Sequence, residues 1–206
     1  MIVAAAAAIG ILVGWPLTRA VDHKAATRRF HAAVVGCTGL LFALAAWRFG
    51  ATWELPAYLY FAALSTALGF VDLQTHRLPN PWTLSAYPIT LALLLLPALA
   101  EQRWTDLWRA VLGGAALFAV FAVLHLINPA GMGLGDVKLA GSMGMLLGWL
   151  SWSALAVGAF LGFVLGAVVG LVLMAAGRAG RKSALPFGPF MLIGSWVAIV
   201  LYGAAG

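Results

Sequence analysis

Two of the six acidic residues in this 206-residue chain stand where an apolar sequence has least use for them. Asp72 closes one long hydrophobic stretch. Asp136 opens another, within GMGLGDVKLAG at 131–141. An acid at membrane depth is costly and marks a functional site by default. Two carboxyl groups a few ångströms apart cannot both ionise easily, so they share one proton. One then acts as general base on a water while the other, protonated, polarises a carbonyl. That is the chemistry of aspartic peptide hydrolysis. It requires no metal, no cofactor and no nucleophilic side chain.

The immediate surroundings predict a difference between the two acids. Asp136 begins a helix, where the macrodipole favours negative charge, and Lys138 is close in sequence. Asp72 lies near a helix C-terminus, where negative charge is disfavoured. Asp136 is therefore expected to be the ionised member and Asp72 to carry the shared proton. Gly131, Gly133 and Gly135 are expected to let the backbone turn sharply and to leave room beside Asp136 for water or a substrate strand.

The elements that must position these acids follow from composition. Hydrophobic residues make up 64% of the chain and charged residues 9%. Mean hydropathy is +1.01. A soluble domain of this size has no such composition. Apolar stretches separated by short polar joints predict an all-α integral membrane protein, a polytopic bundle of about eight transmembrane helices. The expected spans are 2–18, 31–49, 56–73, 82–100, 108–127, 136–150, 152–177 and 187–204. The sixth is short against the roughly 17–25 residues of a full crossing, so it is tilted, extended into its flanks or partly re-entrant. The first span lacks a basic leading region and reads as a retained helix, not a cleaved signal.

The net charge of +6 does not indicate nucleic acid, because no basic run with interleaved aromatics is present. The basic residues sit at span ends. Arg19, Lys24, Arg28, Arg29, Arg77, Lys138, Arg178, Arg181 and Lys182 fall on one side, and Arg48, Arg103 and Arg109 on the other. The positive-inside rule assigns the larger group to the cytoplasm, with both termini outside. Asp72 and Asp136 then both lie at the cytoplasmic end of the bundle. Asp22, Glu54, Glu101 and Asp106 read as solvated loop charges. Trp15, Trp47, Trp53, Trp82, Trp104, Trp108, Trp149 and Trp152 read as interfacial anchors.

Other residues have plainer readings. Cys37 is a lone packing cysteine with no CxxC pair to hold zinc. His125 is a hydrogen-bonded core histidine. Gly158, Gly162, Gly166 and Gly170 share one face of span seven, and Gly141, Gly144 and Gly148 one side of span six. Tight packing inside the bundle is their expected use, with a homodimer seam as the alternative.

Three blocks carry a resemblance. Gly133-Leu134-Gly135-Asp136 is the GxGD pattern of membrane aspartyl proteases. ALGFVDLQTHRLPNPWT at 67–83 resembles the segment of type IV prepilin peptidases in which an aspartate precedes Leu-Pro, here Asp72 with Leu78 and Pro79. LPFGPFMLIG at 185–194 resembles the family's PFGP segment before the last helix. In this order the blocks cover about residues 56–204.

The resemblance implies a multi-pass endopeptidase of the bacterial inner membrane. Its family cleaves the short basic leader of prepilins and pseudopilins at the cytoplasmic face, after a glycine at the edge of the substrate's hydrophobic helix. Asp72 and Asp136 become the catalytic pair. Supporting or substrate-binding roles fall to Gly133, Gly135, Lys138, His76, Arg77, Pro79, Asn80, Pro186, Gly188 and Pro189. For Lys138 the alternative is an orientation charge, for His76, Arg77 and Asn80 a polar joint, and for Pro186, Gly188 and Pro189 shaping of the last helix. Residues 1–206 form a single membrane domain, with two N-terminal helices and a basic joint in 1–55 and the peptidase core in 56–206. Long family members carry a cysteine-rich zinc-binding segment between the first two helices, and many N-methylate the new terminus. Here RAVDHKAATRRF stands at that place. Peptidase activity alone is expected, without zinc.

Two other classes compete. A proton- or ion-coupled transporter would use Asp72 and Asp136 as a relay, and should show an inverted repeat with broken helices. A presenilin-like intramembrane protease shares GxGD but carries Pro-Ala-Leu downstream of it. Here Pro97-Ala98-Leu99 lies upstream.

Overall fold

The computed structural model of the chain describes residues 1–21, 27–129, 131–178 and 186–203. Within these residues eight helices follow one another: α1 (Ile2–Val21), α2 (Arg28–Phe49), α3 (Leu55–Thr75), α4 (Asn80–Ala100), α5 (Trp104–Ile127), α6 (Leu134–Leu150), α7 (Trp152–Ala175) and α8 (Gly188–Tyr202). Among the described residues there is no strand. Among the described residues six helices, α1 to α5 and α7, are long and apolar enough to cross a membrane. The chain is an all-α polytopic membrane protein. Each of the eight expected spans has its helix. Asp22, Lys24, Arg181 and Lys182 lie outside the described residues.

The starts and stops have local causes. Pro56, Pro81 and Pro189 occupy first-turn positions, where a missing N–H leaves no bond unmade. Ser151 caps α7 by accepting from the Ala154 N–H at 2.9 Å. Gly50 closes α2 with φ of 62°, a conformation that costs other residues more.

The sixth span is the central element. It begins two residues earlier than expected, at Leu134, and runs for 17 residues. Nearly every residue from Asp136 to Trp149 is buried. Packed against α4, α5, α7 and α8, the helix has little contact with lipid and need not match its thickness. Glycine makes that enclosure feasible. A Cβ on Gly144 would sit 2.5 Å from the Gly113 carbonyl oxygen and 2.9 Å from Gly114 Cα. The α5 and α6 backbones therefore touch directly. Gly158 and Gly162 serve α7 in the same way, against Gly194 of α8.

The end of the bundle away from the two acids departs from expectation. Glu54 is buried, with 5% exposure, and is not a solvated loop charge. It pairs with Arg103 and accepts from Trp149 Nε1 at 2.8 Å. Trp149 is fully buried and is no interfacial anchor. The Arg103 guanidinium lies 4.8 Å from its ring centroid, a cation–π arrangement. Asp106 is also engaged, with Arg103 at 2.6 Å and Arg109 at 2.8 Å. A charged group away from water needs partners, and here they come from three different helices and loops.

Candidate active site

Asp72 lies in the last turn of α3 and Asp136 in the first turn of α6. Both are buried, at 4% and 9% exposure. They line one cavity of about 260 Å³ together with His76, Arg77, Leu78, Gly133, Leu134 and Gly135. His76, Arg77, Gly133 and Leu134 are exposed and form its rim.

Each carboxylate is fixed by a backbone donor. Asp136 is the third residue of α6, and its Oδ2 accepts the N–H of the cap residue Gly133 at 3.1 Å. That is the acidic half of a capping box. Asp72 Oδ2 accepts the N–H of Gly188, the first residue of α8, at 3.1 Å. Asp72 thus ends its own helix but faces the start of another. Both acids therefore sit against the positive end of a helix dipole. The predicted difference between them, which rested on a helix start against a helix end, loses that basis. Lys138 does not sharpen it, since its ammonium donates to Asn80 Oδ1 at 2.7 Å.

The surrounding loops are locked together. His76 closes α3 in the left-handed region, with φ of 52°, and its N–H donates to the Asp72 carbonyl at 2.8 Å. Thr75 Oγ1 donates to the Arg77 carbonyl at 3.1 Å and tightens the same turn. Pro79 caps α4. Leu78 is buried against Gly135, where a Cβ would come within 2.8 Å of Leu78 Cβ. Gly135 is thus needed for close approach, whereas a Cβ on Gly133 would lie 3.2 Å from Asp136 Oδ2, and neither glycine has positive φ. The chain does turn ahead of α6, where the Gly131 N–H donates to the Asn128 carbonyl at 3.0 Å, and it does so without positive φ at Gly131, Gly133 or Gly135.

The remaining predicted residues flank the cavity without lining it. Asn80 and Lys138 bridge α4 to α6. Pro186 and Pro189 stand on either side of Phe187 and Gly188 at the start of α8. His125 is hydrogen-bonded, with Nδ1 2.7 Å from the Met132 carbonyl oxygen. Sequence reasoning missed Tyr87, whose hydroxyl donates to the Lys138 carbonyl at 2.7 Å and packs on Gly141. No spacing signal pointed to it, because the contact joins residues 51 positions apart.

Residues 59–175, which hold both aspartates, match the profile of the type IV leader peptidase family. The prepilin leader peptidase/N-methyltransferase of Stutzerimonas stutzeri is 32% identical over 175 residues, covering 84% of this chain and 59% of that protein. The protein of the same name from Pseudomonas aeruginosa is 30% identical, covering 86% and 60%. That from Bacillus subtilis is 34% identical, covering 81% and 63%. The chain spans about three-fifths of the length of these relatives. No solved structure matches it. Since the matched segment takes in over half of its residues, the chain belongs to the type IV leader peptidase family.

Proposed function

We propose that the chain is an aspartyl endopeptidase of the bacterial inner membrane. It removes the leader of type IV prepilins or pseudopilins by cutting after a glycine at the edge of the substrate's apolar helix. The observation that supports this most is the shared cavity, with Asp72 and Asp136 on its floor and an exposed rim. A buried acid pair open to water on one side suits hydrolysis. One carboxylate takes a proton from water as the oxygen attacks the peptide carbonyl. The protonated partner donates to the carbonyl oxygen, and collapse of the tetrahedral intermediate returns a proton to the leaving amine. The backbone donors Gly133 and Gly188 hold both carboxylates against rotation.

The charge distribution along the sequence supports a cytoplasmic site, with nine basic residues in the joints expected on its side and three in those expected on the other. His76 and Arg77, at the rim, are the residues placed to meet the leader. The relatives' names pair the peptidase with methyl transfer. We read this chain as peptidase alone, on the joint RAVDHKAATRRF. Residues 56–206 are the proposed peptidase core.

The test is co-expression with a prepilin-type substrate from the same genome, followed by mass spectrometry of the product. Wild type should remove the leader after glycine. Asp72→Asn and Asp136→Asn, each shown to insert in the membrane, should each lower cleavage by about a thousandfold or more. Cleavage surviving either substitution refutes the pair. Transport that depends on these acids, without cleavage, would favour the relay. The product mass also shows whether a methyl group is added.

A further inference from the structure

Two apolar grooves run along the bundle beside the aspartate cavity. One, of about 770 Å³, lies between α4, α5 and α6, with Lys138 at its mouth. The other, of about 530 Å³, lies between α2, α3 and α8 and has no charged residue in its lining. This second groove begins at Leu73 and Pro189, the chain neighbours of Asp72 and of its backbone donor Gly188. It ends at Leu201, 12 residues further along α8, which is about 18 Å of helix. It is therefore a trough of helical length whose near end is the wall of the catalytic cavity.

We propose that this neutral groove receives the substrate's apolar helix, with its cytoplasmic end delivered to Asp72. The assignment rests on the peptidase reading above. Charge decides between the two grooves. An apolar helix seated in the α4–α6 groove would take the Lys138 ammonium, part of that groove's lining, out of water without a counter-charge. The α2–α3–α8 groove presents no such barrier. Gly69 adds no side chain to its floor, and a Cβ there would meet only Leu192 Cδ1, at an ordinary 3.6 Å.

Cys37 is the chain's single cysteine, lines this groove and lies against Thr66. Thr66 precedes Asp72 by six residues of α3, about 9 Å along the axis. A docked substrate helix should therefore pass Cys37 about six residues beyond the scissile bond. The experiment uses the full-length Asp136→Asn protein in membranes with prepilin-type substrates carrying single cysteines along the apolar helix. Disulfide formation is driven by copper phenanthroline. Cross-links to Cys37 should peak near that position and recur with helical period. A second enzyme, Cys37→Ala with Ala115→Cys, places the thiol on the α5 side of the other groove and should give none. In the active enzyme, Gly69→Leu should raise KM about tenfold while leaving kcat unchanged. Cross-linking at position 115 and not at 37, or no cross-linking at 37 by a protein that cleaves when its aspartates are intact, overturns the groove assignment alone. Failure of well-inserted wild type to cleave any prepilin-type substrate overturns the peptidase reading, and this assignment with it.

Discussion

Asp72 is held by a residue 116 positions away in sequence. The contact has no slack: a Cβ on Gly188 would lie 2.8 Å from Asp72 Oδ2, closer than real Cβ contacts come. Gly188→Ala should therefore turn the carboxylate away from its donor while leaving α8 intact. A displacement of about 1 Å in a reacting group costs up to a hundredfold in rate. We expect leader cleavage to fall by about ten- to a hundredfold, with insertion and thermal stability near wild type. The same loss with collapsed stability would mean that Gly188 serves packing alone. Asp72 and Asp136 were legible in the sequence because a charge inside an apolar run announces itself. Gly188 and Glu54 were less so. Gly188 acts through its backbone N–H, which no residue type advertises. Glu54 sits in a polar joint, and its burial depends on Trp149, 95 positions on.

At the scale of elements, the two shortest helices share a design. Both α6 and α8 start at the aspartate cavity, and both end under an arginine. Arg109 donates to the Gly148 carbonyl at 2.7 Å and to the Trp149 and Leu150 carbonyls through its second nitrogen. Arg48 donates to the Val200 carbonyl at 2.8 Å. Helix ends leave carbonyls without partners, and a helix too short to reach water cannot solvate them. Arg109→Met should strip that cap from α6. We expect a loss of about 2–4 kcal/mol, read as a lower thermal midpoint in detergent. Arg109→Lys should recover only part of it, since one ammonium cannot reproduce the planar fork. The helices themselves were legible from hydropathy. The central position of α6 was not, because a uniformly apolar helix does not say whether protein or lipid surrounds it.

At the scale of the molecule, the three basic residues opposite the aspartate end are all engaged. Arg48 and Arg109 cap helices, and Arg103 pairs with Glu54 and Asp106. The proposed orientation can be checked with the cysteine-free Cys37→Ala protein. Ala51→Cys should react in intact cells with a maleimide that does not cross membranes. Arg28→Cys should react only after permeabilisation. The reverse pattern would place the aspartates outside. One further consequence comes from the clamp on α6. Leu150, held by Arg109, lies 14 residues beyond Asp136, or about 21 Å of helix. A hydrocarbon layer is about 30 Å deep, so the stretch from Asp136 to Leu150 falls about 9 Å short of it, and an α6 set across the layer keeps Asp136 below the surface. For a substrate arriving within the bilayer, that recess works as a depth gauge. On the proposed reading, the bond severed would be set by how far the apolar helix extends toward the cytoplasm, and lengthening that helix by one turn should shift the cut along the chain, as read by the product's mass.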